Sequence, residues 1–200
     1  MKLTPVVDEK QAEVIALRQC PLAAVDMGFA GTRRSCGVAL IVPGKSSDLD
    51  CYYFPDAAKT VCDFFSEHGD GVLILEAPLS AAFDASGNPC ARGDFERDGT
   101  PHWWNLRAGA QMALAALYFC RRLDELLPKK SVVHIIEGFV VGADSGEHAD
   151  VAALLASAFQ GNAKGEWHRV TAKGEIVSVA EWFGQPRGCD CPVVLHPSAA

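Results

Sequence analysis

Hydrophobic positions along the chain fall into two patterns. Runs that are apolar on nearly every residue occur at "PLAAVDMGFAG", "SCGVALIVP", "GVLILEAP" and "SVVHIIEGFVV". Such continuous runs predict strands covered on both faces. The first breaks at Gly28 and Gly31, and the second stops at Pro43. A shorter run, "LDCYYF", follows the turn "GKSSD", so the first three strands are expected to form an antiparallel meander. Elsewhere the apolar residues return at helical spacing. Residues 8 to 19 predict a short helix. Asp56 is expected to cap a helix over residues 57 to 68, with Val61, Phe64 and Phe65 on one face. A long helix is expected from 103 to 127, with Leu106, Ala110, Ala113, Leu114, Leu117 and Cys120 on its apolar face and Pro128 at its end. "SGEHADVAALLASAFQG" predicts a last helix, stopped by Gly161.

The expected order is β-β-β-α-β-α-β-α. It predicts an α/β fold, a mixed five-stranded sheet with helices on both faces. One domain is expected over residues 1 to 200, with a core of about 22 to 160 and a C-terminal extension of 162 to 200. The extension is weakly patterned: a hairpin, or a strand and turn, then an irregular tail. Residues 80 to 102 read as a long polar loop, a type that is often functional.

Composition narrows the function classes. No apolar run approaches the roughly 20 residues that span a bilayer. The opening stretch mixes acids with apolar residues, unlike a secretory signal, so a soluble, cytoplasmic protein without membrane contact is expected. The net charge of −7 argues against a basic, non-specific nucleic-acid binder. It is compatible with an enzyme that meets nucleic acid only locally, because clustered metal-binding acids lower the net charge. The eight cysteines are scattered, several in apolar segments, as reduced core thiols are.

Acidic residues at strand ends supply the candidate chemistry. Asp26 closes the first strand and Glu76 the fourth. Carboxyl ends of central strands border the usual crevice of an α/β sheet. Glu147 and Asp150 open the last helix at i, i+3 spacing, with Asp144 and His148 close by. If the first and fourth strands are neighbours, these acids converge and repel one another unless a cation sits among them. Hard divalent cations prefer such oxygen ligands, and two of them can stabilise both oxygens of a phosphodiester displacement. Each acid also has an ordinary use: Asp26 in a turn, Glu147 and Asp150 in the first turn of a helix. Glu137, at the end of the fifth strand, competes for the same spot, and His148 either moves a proton or caps the helix.

These stretches together resemble ribonuclease H-like nucleases, in particular the Holliday-junction-resolvase branch. "VDMGFAGTRRSCGVALI" is similar to the first hairpin of that branch, with its D-x-G and a small residue plus Gly opening the second strand. "LILEAPL" is similar to its second acidic motif, and "EHADVAALLASAF" to its final one. "LEAPLSAAFDASGNPCARGDFER" and "IIEGFVV" look like predicted-nuclease families of unknown function in the superfamily, although the Pro that often follows the latter is missing. The resemblance covers about residues 22 to 160 and implies a ribonuclease H-like fold. It implies Asp26, Glu76, Glu147 and Asp150 as catalytic ligands of Mg²⁺ or Mn²⁺, and phosphodiester hydrolysis as the reaction. Glu147 stands where that branch usually has Asp.

Arg92, Arg97, His102, Trp103, Trp104 and Arg107 lie in or next to the long loop, and Arg33 and Arg34 in the turn after the first strand. Arginines grip phosphate and exposed aromatics stack on bases. Arg92, Arg97, Arg107 and Arg33 are therefore expected to contact a nucleic-acid substrate. The other use of the loop is a helix start with the tryptophans packed on the core. Cys189 and Cys191 form a C-x-C pair, which needs two more ligands to hold zinc. Two functions remain open: a metal-dependent nuclease, and a non-catalytic binding module that keeps the fold. The apolar helix 103 to 127 offers a homodimer interface as well as a core face.

Overall fold

The computed structural model describes residues 2–96, 104, 107–128, 130–140, 147–172, 174–179, 181 and 191–197. Ten strands and four helices follow one another: β1 (Lys2–Pro5), α1 (Glu9–Leu17), β2 (Leu22–Asp26), β3 (Cys36–Ile41), β4 (Asp48–Tyr52), α2 (Phe54–His68), β5 (Gly71–Glu76), β6 (Ser80–Phe83), α3 (Arg107–Leu126), β7 (Val132–Gly138), α4 (His148–Phe159), β8 (Gly165–His168), β9 (Glu175–Ser178) and β10 (Val194–Pro197). The main sheet runs β4-β3-β2-β5-β7-β10-β8. The antiparallel meander β2–β3–β4 is present as expected. From β2 the sheet continues through β5 and β7, both parallel to it.

The continuous apolar runs are explained by two cores. Ala23, Val25, Leu73, Leu75, Val133 and Ile135 face one side, where Val61 and Phe65 of α2 and Phe119 and Leu123 of α3 cover them. Leu22, Ala24, Val72, Ile74 and Ile136 face the other, against Ala12 and Ile15 of α1 and Ala152 and Leu155 of α4. Alternate residues of each strand therefore enter opposite cores, and both faces exclude water. No described helix is long and apolar enough to cross a membrane.

Several expectations need correction. The main sheet has eight strands, not five, and β6 and β9 form a second, two-stranded sheet. Part of the expected loop is β6, and the weakly patterned tail supplies β8, β9 and β10. These are four-residue strands held by partners remote in sequence, which local periodicity does not register. β1 pairs with the first half of β7's outer edge and β10 with the second half. The two are joined by a hydrogen bond from Val193 N–H to the Val6 carbonyl, 2.7 Å.

α1 starts where expected. Asp8 accepts from Gln11 N–H at 2.8 Å, and the Gln11 side chain accepts from Val7 N–H at 2.9 Å, a reciprocal cap. α2 starts earlier than expected. Tyr53 is its N-cap, Pro55 lies in the first turn, and Asp56 sits inside that turn rather than before it. α3 buries a face shifted from the expected one: Cys120 points inward as expected, joined by Ala116, Phe119 and Leu123, while Leu114 is 61% exposed. This helix is apolar around much of its girth, so periodicity alone allowed more than one face. Contact of Phe119 with Phe54, ring centres 6.0 Å apart, fixes it.

Gly37 sets the position of α4. A Cβ there would lie 2.0 Å from the His148 carbonyl oxygen and 2.5 Å from Ala149 N, both backbone atoms. The helix start rests directly on β3, and no side chain fits between them. Gly37→Ala is expected to push α4 outward and cost about 1–3 kcal/mol, as overpacking does. A urea unfolding curve with a lowered midpoint and an unchanged slope would register it.

Candidate functional site

β2 and β5 end together. Their register pairs Leu22 with Val72 and, four residues on, Asp26 with Glu76. Parallel neighbours in register point the same way, so the two carboxyl groups lie side by side on the α4 face. Both are buried, at 7% and 6% exposure. Glu137 aligns with Leu75, one position out of phase with Glu76, and therefore points into the opposite core. This register decides the competition between Glu137 and Glu76 for the site.

α4 brings a third group. His148 Nδ1 lies 2.8 Å from Asp26 Oδ2, with His148 partly exposed. The close seating of α4 on Gly37 places it there. Of the two helix acids expected at the site, Glu147 is the N-cap residue and Asp150 lies in the first turn. Both side chains are exposed. Among the described residues, no group of three or more His, Cys, Asp and Glu has a geometry that could hold a metal ion. The four-carboxylate set is thus not assembled; Asp26 and Glu76 are brought together, and His148 joins Asp26.

Electrostatics separate the two acids. Burial pushes the Asp26 carboxyl up, and the charge and hydrogen bond of His148 pull it back. Glu76 is pushed well above the ordinary range, first by burial, then by the charge of Asp26, with a smaller push from Glu137. A backbone hydrogen bond from Val140 offsets only part of this. Two adjacent carboxyls cannot both ionise cheaply, and the upward push is greater on Glu76, which has no cationic partner among these causes, than on Asp26, which has His148.

The arginines are arranged otherwise than expected. Arg92 is fully buried. Its Nε and Nη2 bind Glu96 Oε1 at 3.0 and 2.8 Å, and its Nη1 donates to Glu137 Oε2 at 2.8 Å. Nη2 also lies 2.8 Å from Glu137 Oε1, and Nη1 reaches the Ser80 carbonyl and hydroxyl oxygens. With its donors engaged internally, Arg92 cannot grip a substrate phosphate. Two buried carboxylates draw the guanidinium inward, since a buried charge must be paired. Arg33 is exposed on the turn after β2. Arg97, His102, Trp103, Asp144 and Cys189 lie outside the described residues, as does the side chain of Arg107. Trp104 packs edge-on against Phe83 and donates to the Cys90 carbonyl, the core-packing use of that segment. Cys191 is a half-buried free thiol pushed up to about 11 by burial, and not a metal ligand among the described residues.

Sequence reasoning underrated two features. The Asp26–His148 pair spans more than 120 residues, and its only sequence signal is a histidine opening the last helix. The Arg92–Glu96 pair has a local signal, i, i+4 spacing in "ARGDFE". When protein-family models, curated proteins and solved structures are compared with this chain, none matches.

Two outcomes are expected from this geometry. Glu76 binds its proton more tightly when folded than the ordinary value of 4.5 would give. In a metal chelator the contribution of Glu76 to stability is therefore fully present below about pH 4.5 and is lost as pH rises toward the raised value. Glu76→Gln should flatten that loss, read from guanidinium midpoints at several pH values. Arg92→Met should cost about 3–5 kcal/mol by leaving two buried carboxylates without their partner. Adding Glu96→Gln and Glu137→Gln should recover part of that loss in the same denaturation assay.

Proposed function

We propose that this protein is a divalent-metal-dependent nuclease of the ribonuclease H-like kind. The observation that carries the reading is the in-register pair Asp26 and Glu76, buried together at the ends of two central parallel strands. Burying two like-charged groups side by side costs stability, and a bound cation would offset that cost. The order at the centre of the sheet supports the fold reading: an antiparallel meander, then two strands parallel to its first, each reached through a helix. That is the order the family resemblance implies.

The residues fit one hard cation better than two. Mg²⁺ takes one or two carboxylates and keeps several waters, and Mn²⁺ accepts the same oxygen ligands. Asp26 Oδ1 and the Glu76 carboxylate would hold it, with Glu76 giving up its proton. When bound, the cation supplies charge neutralisation at the phosphoryl oxygens and lowers the pKa of an attacking water. With Nδ1–H donating to Asp26 Oδ2, His148 would have Nε2 left to accept a proton, as a general base must. Asp26 would thus orient the base through one oxygen and offer the other to the cation. Glu147 and Asp150 are exposed at the start of the helix that carries His148.

A second reading, a non-catalytic nucleic-acid-binding module, draws on the buried ion network. Glu96, Arg92 and Glu137 form a closed structural group with no role in hydrolysis. Strand-end acids in this fold therefore serve stability as well.

Calorimetric titration with Mn²⁺ separates the two. The nuclease reading expects binding to the wild type and its loss in both Asp26→Asn and Glu76→Gln. It further expects His148→Ala to keep Mn²⁺ binding while cleaving an oligonucleotide about 10²- to 10⁴-fold more slowly, the usual contribution of a general base. A wild type that takes up no Mn²⁺ at millimolar concentration would sink the nuclease reading in favour of the binding module.

A further inference from the structure

Between Asp26 and Gly37, the last paired residues of β2 and β3, the chain leaves the sheet at the edge that carries the two acids. The neck of this excursion is tightly fixed. A Cβ on Gly28 would lie 1.6 Å from the Ser35 carbonyl oxygen, so the two backbone segments touch. Ala30 N–H donates to Ser35 Oγ at 2.9 Å, and Ser35 N–H to the Tyr52 carbonyl at 3.1 Å. Met27 and Ser35 are buried, at 2% and 3% exposure.

The tip beyond that neck is built differently. Phe29 is 44% exposed, although Met27, two residues before it, is in the core. Arg33 and Arg34 are exposed, and Arg33 makes no ion pair among the described residues. Arg34 approaches Asp50 only at 4.0 Å, both side chains being well exposed, a pair worth little. A large ring and two available guanidinium groups thus share one six-residue tip, in a chain whose net charge is −7. Stability does not require this: an exposed Phe on a fixed turn buries little apolar surface, and the adjacent arginines are not tied to the fold.

We propose that the tip formed by residues 29–34 is a receiving platform for unpaired, single-stranded nucleic acid, with Phe29 stacking on a base and Arg33 and Arg34 holding the flanking phosphates. The inference rests on the nuclease reading and names the substrate class of that same site. An aromatic face stacks on any base that is free of its neighbours, and arginines beside it track the backbone without reading sequence. Duplex bases are already stacked and leave the ring no partner. The platform takes over the phosphate-holding role for which Arg92, buried and saturated, is not available.

The test is fluorescence anisotropy with a labelled oligothymidylate of about 12 nucleotides, a length within the usual single-strand site sizes, and with a duplex of the same length. EDTA is present so that binding is read without turnover. The wild type should prefer the single strand. Phe29→Ala should weaken that binding about 5- to 100-fold, the range of one base–aromatic stack, and leave duplex binding unchanged. Phe29→Trp should retain it. Arg33→Ala with Arg34→Ala should lower the slope of log affinity against log salt by about 1.4, about 0.7 per phosphate contact. All three positions are exposed, and matching circular dichroism of each variant shows that the fold is intact. Wild-type binding that ignores Phe29→Ala, a preference for duplex, or no binding at all would each overturn the platform. The Mn²⁺ titration keeps the two readings apart. Strand binding that depends on Phe29 in a protein that takes no Mn²⁺ sustains the platform and removes the nuclease. Mn²⁺ binding at Asp26 and Glu76 with no effect of Phe29→Ala does the reverse.

Discussion

The parallel pairing of β2 with β5 is the constraint on which the other features depend. Its register runs unbroken from Leu22 and Val72 to Asp26 and Glu76. Because side chains alternate, this one alignment fixes which residues enter each core. A slip of one residue would move Leu73 and Leu75 out of the core they share with α2 and α3. It would also part the two carboxyls and turn one toward the other face. The hydrophobic pattern that selects the register for stability therefore also creates the costly acid pair, and the pair cannot be relieved by sliding.

The third strand-end acid shows the same logic with the opposite outcome. Glu137 is one position out of phase, so it falls on the other face and meets Arg92 and Leu79 N–H instead of Asp26. Burial raises its pKa, while the charge and hydrogen bonds of Arg92 pull it down. Three acids ending three adjacent strands thus have three fates. Asp26 is paired with a histidine, Glu76 is pushed upward by burial and by Asp26, and Glu137 is locked to a guanidinium. Their differing environments, rather than their identical chemistry, separate a candidate reactive pair from a structural tie.

Much of this was legible in the chain. Continuous apolar runs located β2, β3, β5 and β7, because strands buried on both faces carry few polar residues to break the pattern. The turn "GKSSD" located the hairpin between β3 and β4. Asp26 and Glu76 could be nominated because each ends such a run. Other features were not legible because they depend on distant partners. β10 is four residues long and becomes a strand only against β7 and β8. Arg92 looked like a surface residue in a polar loop; it is turned inward by Glu96 together with Glu137, 45 residues on. The face of α3 was legible only in part, at Cys120, because Leu114 and Leu117 are as apolar as Phe119. Gly37, by contrast, was visible as part of a motif, but its reason, the seating of α4, required the tertiary contact.

The divided outer edge of β7 has a consequence for how the chain reaches this state. Lys2 pairs with Val132, and Val194 with Glu137, so separations of about 130 and 57 residues close one strand edge. Contacts this distant bear the largest loop-closure entropy and form late, whereas the meander β2–β3–β4 closes through short turns. During synthesis β1 emerges well before β7 and has no partner until β7 is made. β7 in turn presents a bare edge until β10 follows. An unpaired edge invites pairing with another chain. The most vulnerable interval for this protein is therefore the one after β7 and before β10 is made, with its acid-bearing strands already aligned and the far side of its sheet still open.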